Sequence, residues 1–174
     1  MAHIPYASLA DQATKPLVDR IVAERGSVLH LYQMLLHSPP LAEGWLGYLT
    51  AVRQKLALSG ALRELIIMRV AGLNGAPYEA AQHAPIALKE GVPQAKLDAL
   101  PDWRASGLFD GTESAVLALT DAMTREIHFD AAIMAAVRNA LGERGAVEAA
   151  ATIAAYNMVS RFLEALQIDV NDAR

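Results

Sequence analysis

Glu79 and His83 are four residues apart in a stretch with helical periodicity, which sets both side chains on one helix face with Cβ atoms about 5–6 Å apart. A carboxylate beside an imidazole tends to raise the imidazole pKa, and partial burial raises that of the carboxyl. Either change leaves a proton donor or acceptor poised near neutral pH. Glu64 lies on the preceding helical segment, and a short Asn74-Gly75 turn folds it back toward the pair, so that three titratable groups converge. Tyr78, at the start of the second segment, can offer a hydrogen bond to a ligand. The same spacing also describes a solvated ion pair contributing about 0.2–0.5 kcal/mol, so spacing alone leaves both readings open. Carboxylates and imidazole also suit divalent metals, but no HExxH run or dense ligand cluster accompanies them, and no metal or other cofactor is predicted.

Should the group serve a negatively charged ligand, a cation must lie near it. Arg69 is nearest in sequence, on the helix of Glu64 but five residues on; its other reading is a partner for a core carboxylate. Arg161, four residues after Asn157 on an apolar helix, is the second candidate, and it can equally complement a helix C-terminus. His30 and His37 are seven apart and lack a further ligand. Tyr32, Trp45 and Tyr48 fit a cavity wall, an interface or the core.

The elements that must position these groups are helices. Helical periods recur along the chain, period-two alternation does not, and Gly and Pro fall between the periodic segments, so the predicted fold is all-α. Expected helices cover Thr14–Arg25, Ser27–Leu36, Leu41–Leu56, Ser59 to about Leu73, Ala76–Glu90, Asp110 to about Arg125, Asp130–Leu141 and Glu143–Leu166. Ser59, Asp110 and Asp130 are the expected N-caps. Pro85 predicts a kink or local opening beside His83, and a loop is expected around Pro101–Asp110. The organisation predicted is one domain over 1–174, with 1–40 an N-terminal helical extension and 41–168 the core.

Composition removes several function classes. The chain has 174 residues and no cysteine, which excludes thiol nucleophiles, disulfides and thiolate metal sites. Fifteen Lys and Arg against 19 Asp and Glu give a net charge of −4, which predicts no nucleic-acid footprint. Hydrophobic residues make up 53%, yet charges interrupt the apolar runs 62–73 and 146–166 before they reach membrane-spanning length, so no membrane partner is predicted. Met1–Ala10 lacks the pattern of a secretory leader, which makes the cytoplasm the expected location. So apolar a chain without a membrane span predicts self-association.

The run from Leu58 to Val70 (LSGALRELIIMRV), followed by Asn74–His83 (NGAPYEAAQH) and Ile86–Gly91 (IALKEG), resembles the core of the carboxymuconolactone decarboxylase and alkylhydroperoxidase D-like superfamily. The resemblance covers about 40–168, and Tyr156–Phe162 (YNMVSRF) adds to it. It implies an all-helical bundle that assembles into dimers, trimers or hexamers. The superfamily's peroxidase branch carries Cys-x-x-Cys-x-x-x-His preceded by a proton-relaying glutamate. With the histidine on His83 and the glutamate on Glu64, the cysteine positions hold Ala76 and Glu79. The decarboxylase branch resembles Glu-x-x-x-His, here Glu79 to His83. The resemblance therefore implies a cofactor-free lyase or isomerase acting on a small anionic lactone or unsaturated acid. His83 would serve the proton or the oxyanion, Glu79 would orient it, Glu64 would stand behind, and Tyr78, Arg69 and Arg161 would bind substrate. The alternatives are a peroxidase-like homologue without redox cysteines and a non-catalytic small-molecule-binding oligomer.

Overall fold

A computed structural model describes residues 2–172, and all regular structure among them is helical. In chain order the helices are α1 (Lys15–Arg25), α2 (His30–Leu35), α3 (Pro39–Gln54), α4 (Gly60–Asn74), α5 (Pro77–Lys89), α6 (Gln94–Ala99), a 3-10 turn (Leu100–Asp102), α7 (Trp103–Ser106), α8 (Gly111–Arg125) and α9 (Ala131–Leu166). Met1, Ala173 and Arg174 lie outside the described residues, so the first residue of the expected leaderless start does too.

Local chemistry sets the helix ends. Ser59 accepts a hydrogen bond from the Leu62 N–H at α4, and Asp130 does the same for Ala132 at α9. At α8 the Asp110 carboxylate accepts from the Glu113 N–H, and the Glu113 carboxylate accepts from the Asp110 N–H, a reciprocal capping box. Pro39 and Pro40 occupy the first turn of α3, where a missing N–H costs no helical bond, so that helix starts earlier than the proline pair suggests. Two glycines act through backbone conformation. Gly75, at φ 62°, ends α4 and permits the tight reversal into α5, and Gly142, at φ 72° and ψ 177°, interrupts α9 at the break expected between Leu141 and Glu143.

Two expectations need correction. α5 runs unbroken from Pro77 to Lys89 through Pro85, so of the expected kink or opening beside His83 the opening does not occur. The expected loop around Pro101–Asp110 begins with the 3-10 turn and α7, fastened by the Trp103 contacts described below.

α4 is the central element, packed against α5, α8 and α9. Its Leu65, Ile66, Ile67, Val70 and Ala71 are all buried, and so are Glu64 and Arg69. One apolar cluster joins Val18, Ile21, Tyr32, Leu46, Ile66, Ile153 and Tyr156, so α1 and α2 share the core of the later helices. Tyr6 and the Ala2 N–H both bond to Asp172, and His30 Nδ1 lies 2.9 Å from the Asp169 carbonyl oxygen, tying the first residues to the last. His30 and His37, which contacts the Pro5 carbonyl, thus hold the backbone together. No helix among the described residues is long and apolar enough to cross a membrane.

Arg69 anchors the far side of α4. Its guanidinium donates to Asp121 at 2.6 Å and to the Leu100 carbonyl at 2.7 Å, and the other Asp121 oxygen accepts from Trp103 Nε1 and Arg104. Removing Asp121 strands a buried guanidinium. Asp121→Ala is therefore expected to cost about 3–5 kcal/mol, read as a lower urea midpoint, with α6 and α7 losing hydrogen-exchange protection first.

Candidate functional site

A small cavity of about 70 Å³ opens between α2, α3, α5 and α9. Its wall is mostly apolar, from Leu29 and Leu31 beside Tyr32, through Leu49 and Ile86, to Val159 and Leu163. Into this wall the chain sets Glu79, His83, Tyr78, Tyr156, Gln82, Trp45 and Arg53.

His83 is 6% exposed, and its Nδ1 lies 2.7 Å from Glu64 Oε2. Glu64 is fully buried. Burial opposes its ionisation, but the bonds to His83 and Arg63, the latter at 3.1 Å, outweigh that and hold the carboxyl below its ordinary range. An ionised carboxylate can only accept, so Nδ1 carries the proton. Burial also keeps His83 below the usual imidazole value against the pull of Glu64, which leaves the ring neutral at pH 7. Nε2 then holds a lone pair, and no described residue bonds to it. Tyr156 meets the ring edge-on, with centroids 5.0 Å apart, and fixes its plane.

Glu79 is 1% exposed and lies in different company. Its Oε2 is 3.0 Å from Ser160 Oγ, and its Oε1 is buried without a partner among the described residues. Burial, with some help from the nearby Glu164 charge, pushes its pKa up to about 8 against the effect of Ser160, so the group is a neutral acid at pH 7. Ser160 Oγ is also 2.9 Å from the Tyr156 carbonyl oxygen, so its single proton is shared between that oxygen and Glu79 Oε2 and Glu79 gains only part of one donor.

The geometry revises the division of labour. Glu79 and His83 share a wall, but the partner that orients the imidazole is Glu64, one helix away. Tyr78 is buried in the same wall. Arg69 is outside it, held by Asp121, because its five-residue offset from Glu64 turns it to the opposite side of α4. Arg161 is also outside, donating to the Asn157 carbonyl and amide oxygens. Tyr32 and Trp45 line the cavity; Tyr48 faces outward. Ser160 and Arg53 were missed. Arg53 was legible in principle, since Trp45, Leu49 and Arg53 recur every four residues along α3. Among the described residues no group of three or more His, Asp and Glu is placed to hold a metal.

A model of the carboxymuconolactone decarboxylase family matches residues 39–122, from α3 through most of α8. The fold agrees: a peroxidase-related protein from Silicibacter sp. TM1040 superposes with a TM-score of 0.82 at 17% identity, over 96% of this chain and 89% of that one. Residues 39–122 thus resemble the carboxymuconolactone decarboxylase family, and the fold over nearly the whole chain is that of alkylhydroperoxidase-like proteins. A second structure, an alkylhydroperoxidase-core, peroxidase-related protein from Ralstonia eutropha JMP134, gives a TM-score of 0.79 at 19% identity over 98% and 93% of the two chains. A cysteine-to-alanine variant of the debrominase Bmp8, in complex with 2,3,4-tribromopyrrole, gives 0.82 at 20% identity over 98% and 94%. No curated protein matches the sequence. This chain has no cysteine anywhere, so thiol chemistry has no residue to run on.

The raised pKa of Glu79 has a thermodynamic signature. Between the ordinary carboxyl value and about 8 the folded chain holds a proton that the unfolded chain has released, so stability falls as pH rises through that window. Urea unfolding at about pH 5.5 and 8.5 is expected to show a loss on the order of a few kcal/mol from this group. Glu79→Gln, which mimics the neutral acid, should flatten that dependence.

Proposed function

We propose that this chain is a cofactor-free acid–base enzyme, a decarboxylase-like lyase or related isomerase, acting on a small unsaturated acid or lactone in the cavity. The observation that carries the reading is the His83 Nδ1 to Glu64 bond, which commits the imidazole to one tautomer and leaves Nε2 as a base in an apolar cavity that also holds a protonated carboxyl. Two titratable groups in one cavity with pKa values driven in opposite directions provide a general base and a general acid at the same pH.

In a decarboxylation, electrons of the C–CO₂ bond move into the conjugated carbonyl, CO₂ departs, and Glu79 returns a proton to the dienolate carbon. Solvent later reprotonates Glu79. In an isomerisation His83 Nε2 first removes a proton from carbon and Glu79 delivers one further along the conjugated system. The apolar wall favours both, because weak solvation strengthens each proton donor and acceptor in it.

CO₂ release and ultraviolet absorbance with γ-carboxymuconolactone and related unsaturated acids test the reading. Where the reaction removes a proton from carbon, His83→Ala should lower turnover about 100- to 10,000-fold with the helical content retained, and Glu79→Gln should do so for CO₂ release. Glu64→Gln should also lose most activity, since its amide can donate to Nδ1 and move the ring proton to Nε2. Activity should be bell-shaped in pH, with an alkaline limb near 8 from Glu79 and an acid limb below the usual imidazole value. Full activity in His83→Ala would reject the assignment.

A further inference from the structure

The arginines around the cavity differ in how they are neutralised. Arg63 bonds to Glu64 at 3.1 Å and reaches Glu90 at 3.4 Å, and Arg69 is held by Asp121. Arg53 lines the cavity half-buried and has neither an ion pair nor a hydrogen bond with any described residue. It ends the stripe Trp45, Leu49, Arg53 on α3, all three of which face the cavity. Trp45 is 7% exposed and its indole N–H has no acceptor among the described residues. One wall therefore presents an unneutralised guanidinium and an unsatisfied donor, both calling for acceptor atoms that the described residues do not supply. An uncompensated charge against apolar side chains attracts an anion far more strongly than one in bulk water does.

Charge accounting then limits the ligand. The charge on Glu64 is matched by Arg63, and the other ionisable lining groups, apart from the tyrosines, are His83 and Glu79, which the acid–base reading takes as neutral. Arg53 leaves the cavity with one positive charge. A first carboxylate can pair with it through two parallel N–H donors. A second would be buried among Leu49, Ile86 and Leu163 with no cation, or beside the Glu79 carboxyl, and either placement is costly.

We propose that Arg53 anchors the carboxylate of the cavity's ligand and that this ligand is a small monocarboxylate, with a further acceptor atom for the Trp45 N–H. γ-Carboxymuconolactone, with two carboxylates, fits this wall worse than a lactone or unsaturated acid with one. The proposal rests on the acid–base reading only for the neutrality of His83 and Glu79.

Calorimetric titration of the full chain at about pH 6.5, where Glu79 is protonated, tests it without needing turnover. The probes are benzoate against its neutral isostere benzamide, and 3-carbamoylbenzoate against the like-shaped dianion isophthalate. Wild type should bind benzoate at least about 10-fold more tightly than benzamide, and 3-carbamoylbenzoate more tightly than isophthalate. Arg53→Gln should erase the benzoate preference while changing benzamide binding less than about 2-fold, and Arg53→Lys should keep part of the preference. The proposal is overturned if wild type binds benzoate no better than benzamide, if Arg53→Gln keeps the preference, or if no carboxylate binds at millimolar concentration. Equal binding of isophthalate and 3-carbamoylbenzoate overturns the single-charge limit. Wild-type turnover separates the two readings: benzoate bound through Arg53 by a wild-type protein that turns over none of the unsaturated acids keeps this proposal and rejects the acid–base one, and turnover indifferent to Arg53 does the reverse.

Discussion

A carboxylate with no exposed surface sits in the middle of the most deeply packed helix, and much of the site follows from how its charge is accommodated. Glu64 cannot be hydrated, so it must be bonded, and it takes its protons from His83 on α5 and Arg63 on its own helix. Satisfying it brings α5 back along α4, which the left-handed Gly75 allows, and turns the imidazole so that its second nitrogen faces the cavity. A single buried bond thus links the reversal between two helices to the tautomer of one ring.

Glu79 shows what happens when the same side chain is buried without such partners. Both carboxyls are essentially sealed from solvent, yet one is driven below its ordinary pKa and the other up to about 8. The difference is the supply of donors: an imidazole N–H and a guanidinium for Glu64, a lone serine hydroxyl shared with a carbonyl for Glu79. Burial alone favours the neutral acid, and only donated protons reverse that.

The helices, their caps and the Asn74-Gly75 reversal are readable in sequence because they depend on neighbours a few residues apart, as the Asp110–Glu113 box and the break at Gly142 illustrate. The convergence of Glu64, Glu79 and His83 on one cavity region was legible from spacing and a turn. Their bonding was not, because i, i+4 spacing puts Glu79 near His83 without saying which acceptor the imidazole chooses. Ser160, 81 positions from Glu79, is a tertiary neighbour with no local signal. Arg69 misled for the same reason: a basic residue close in sequence to a candidate site belongs to whichever buried acid its helix face meets, and that face meets Asp121.

The cavity wall is also divided along the chain. Glu64, Glu79, His83 and Arg53 fall within 39–122, the stretch the family model describes, while Leu29, Leu31, Tyr32, Val159 and Leu163 come from α9 and the start of the chain around α2, outside it. The proton-handling groups and much of the surface that a ligand would touch are therefore carried by separate parts of the sequence. The shape of the chamber can drift through substitutions in those flanking segments without disturbing a single hydrogen bond of the Glu64–His83 pair. A helical frame of this kind can change its guest while keeping its chemistry.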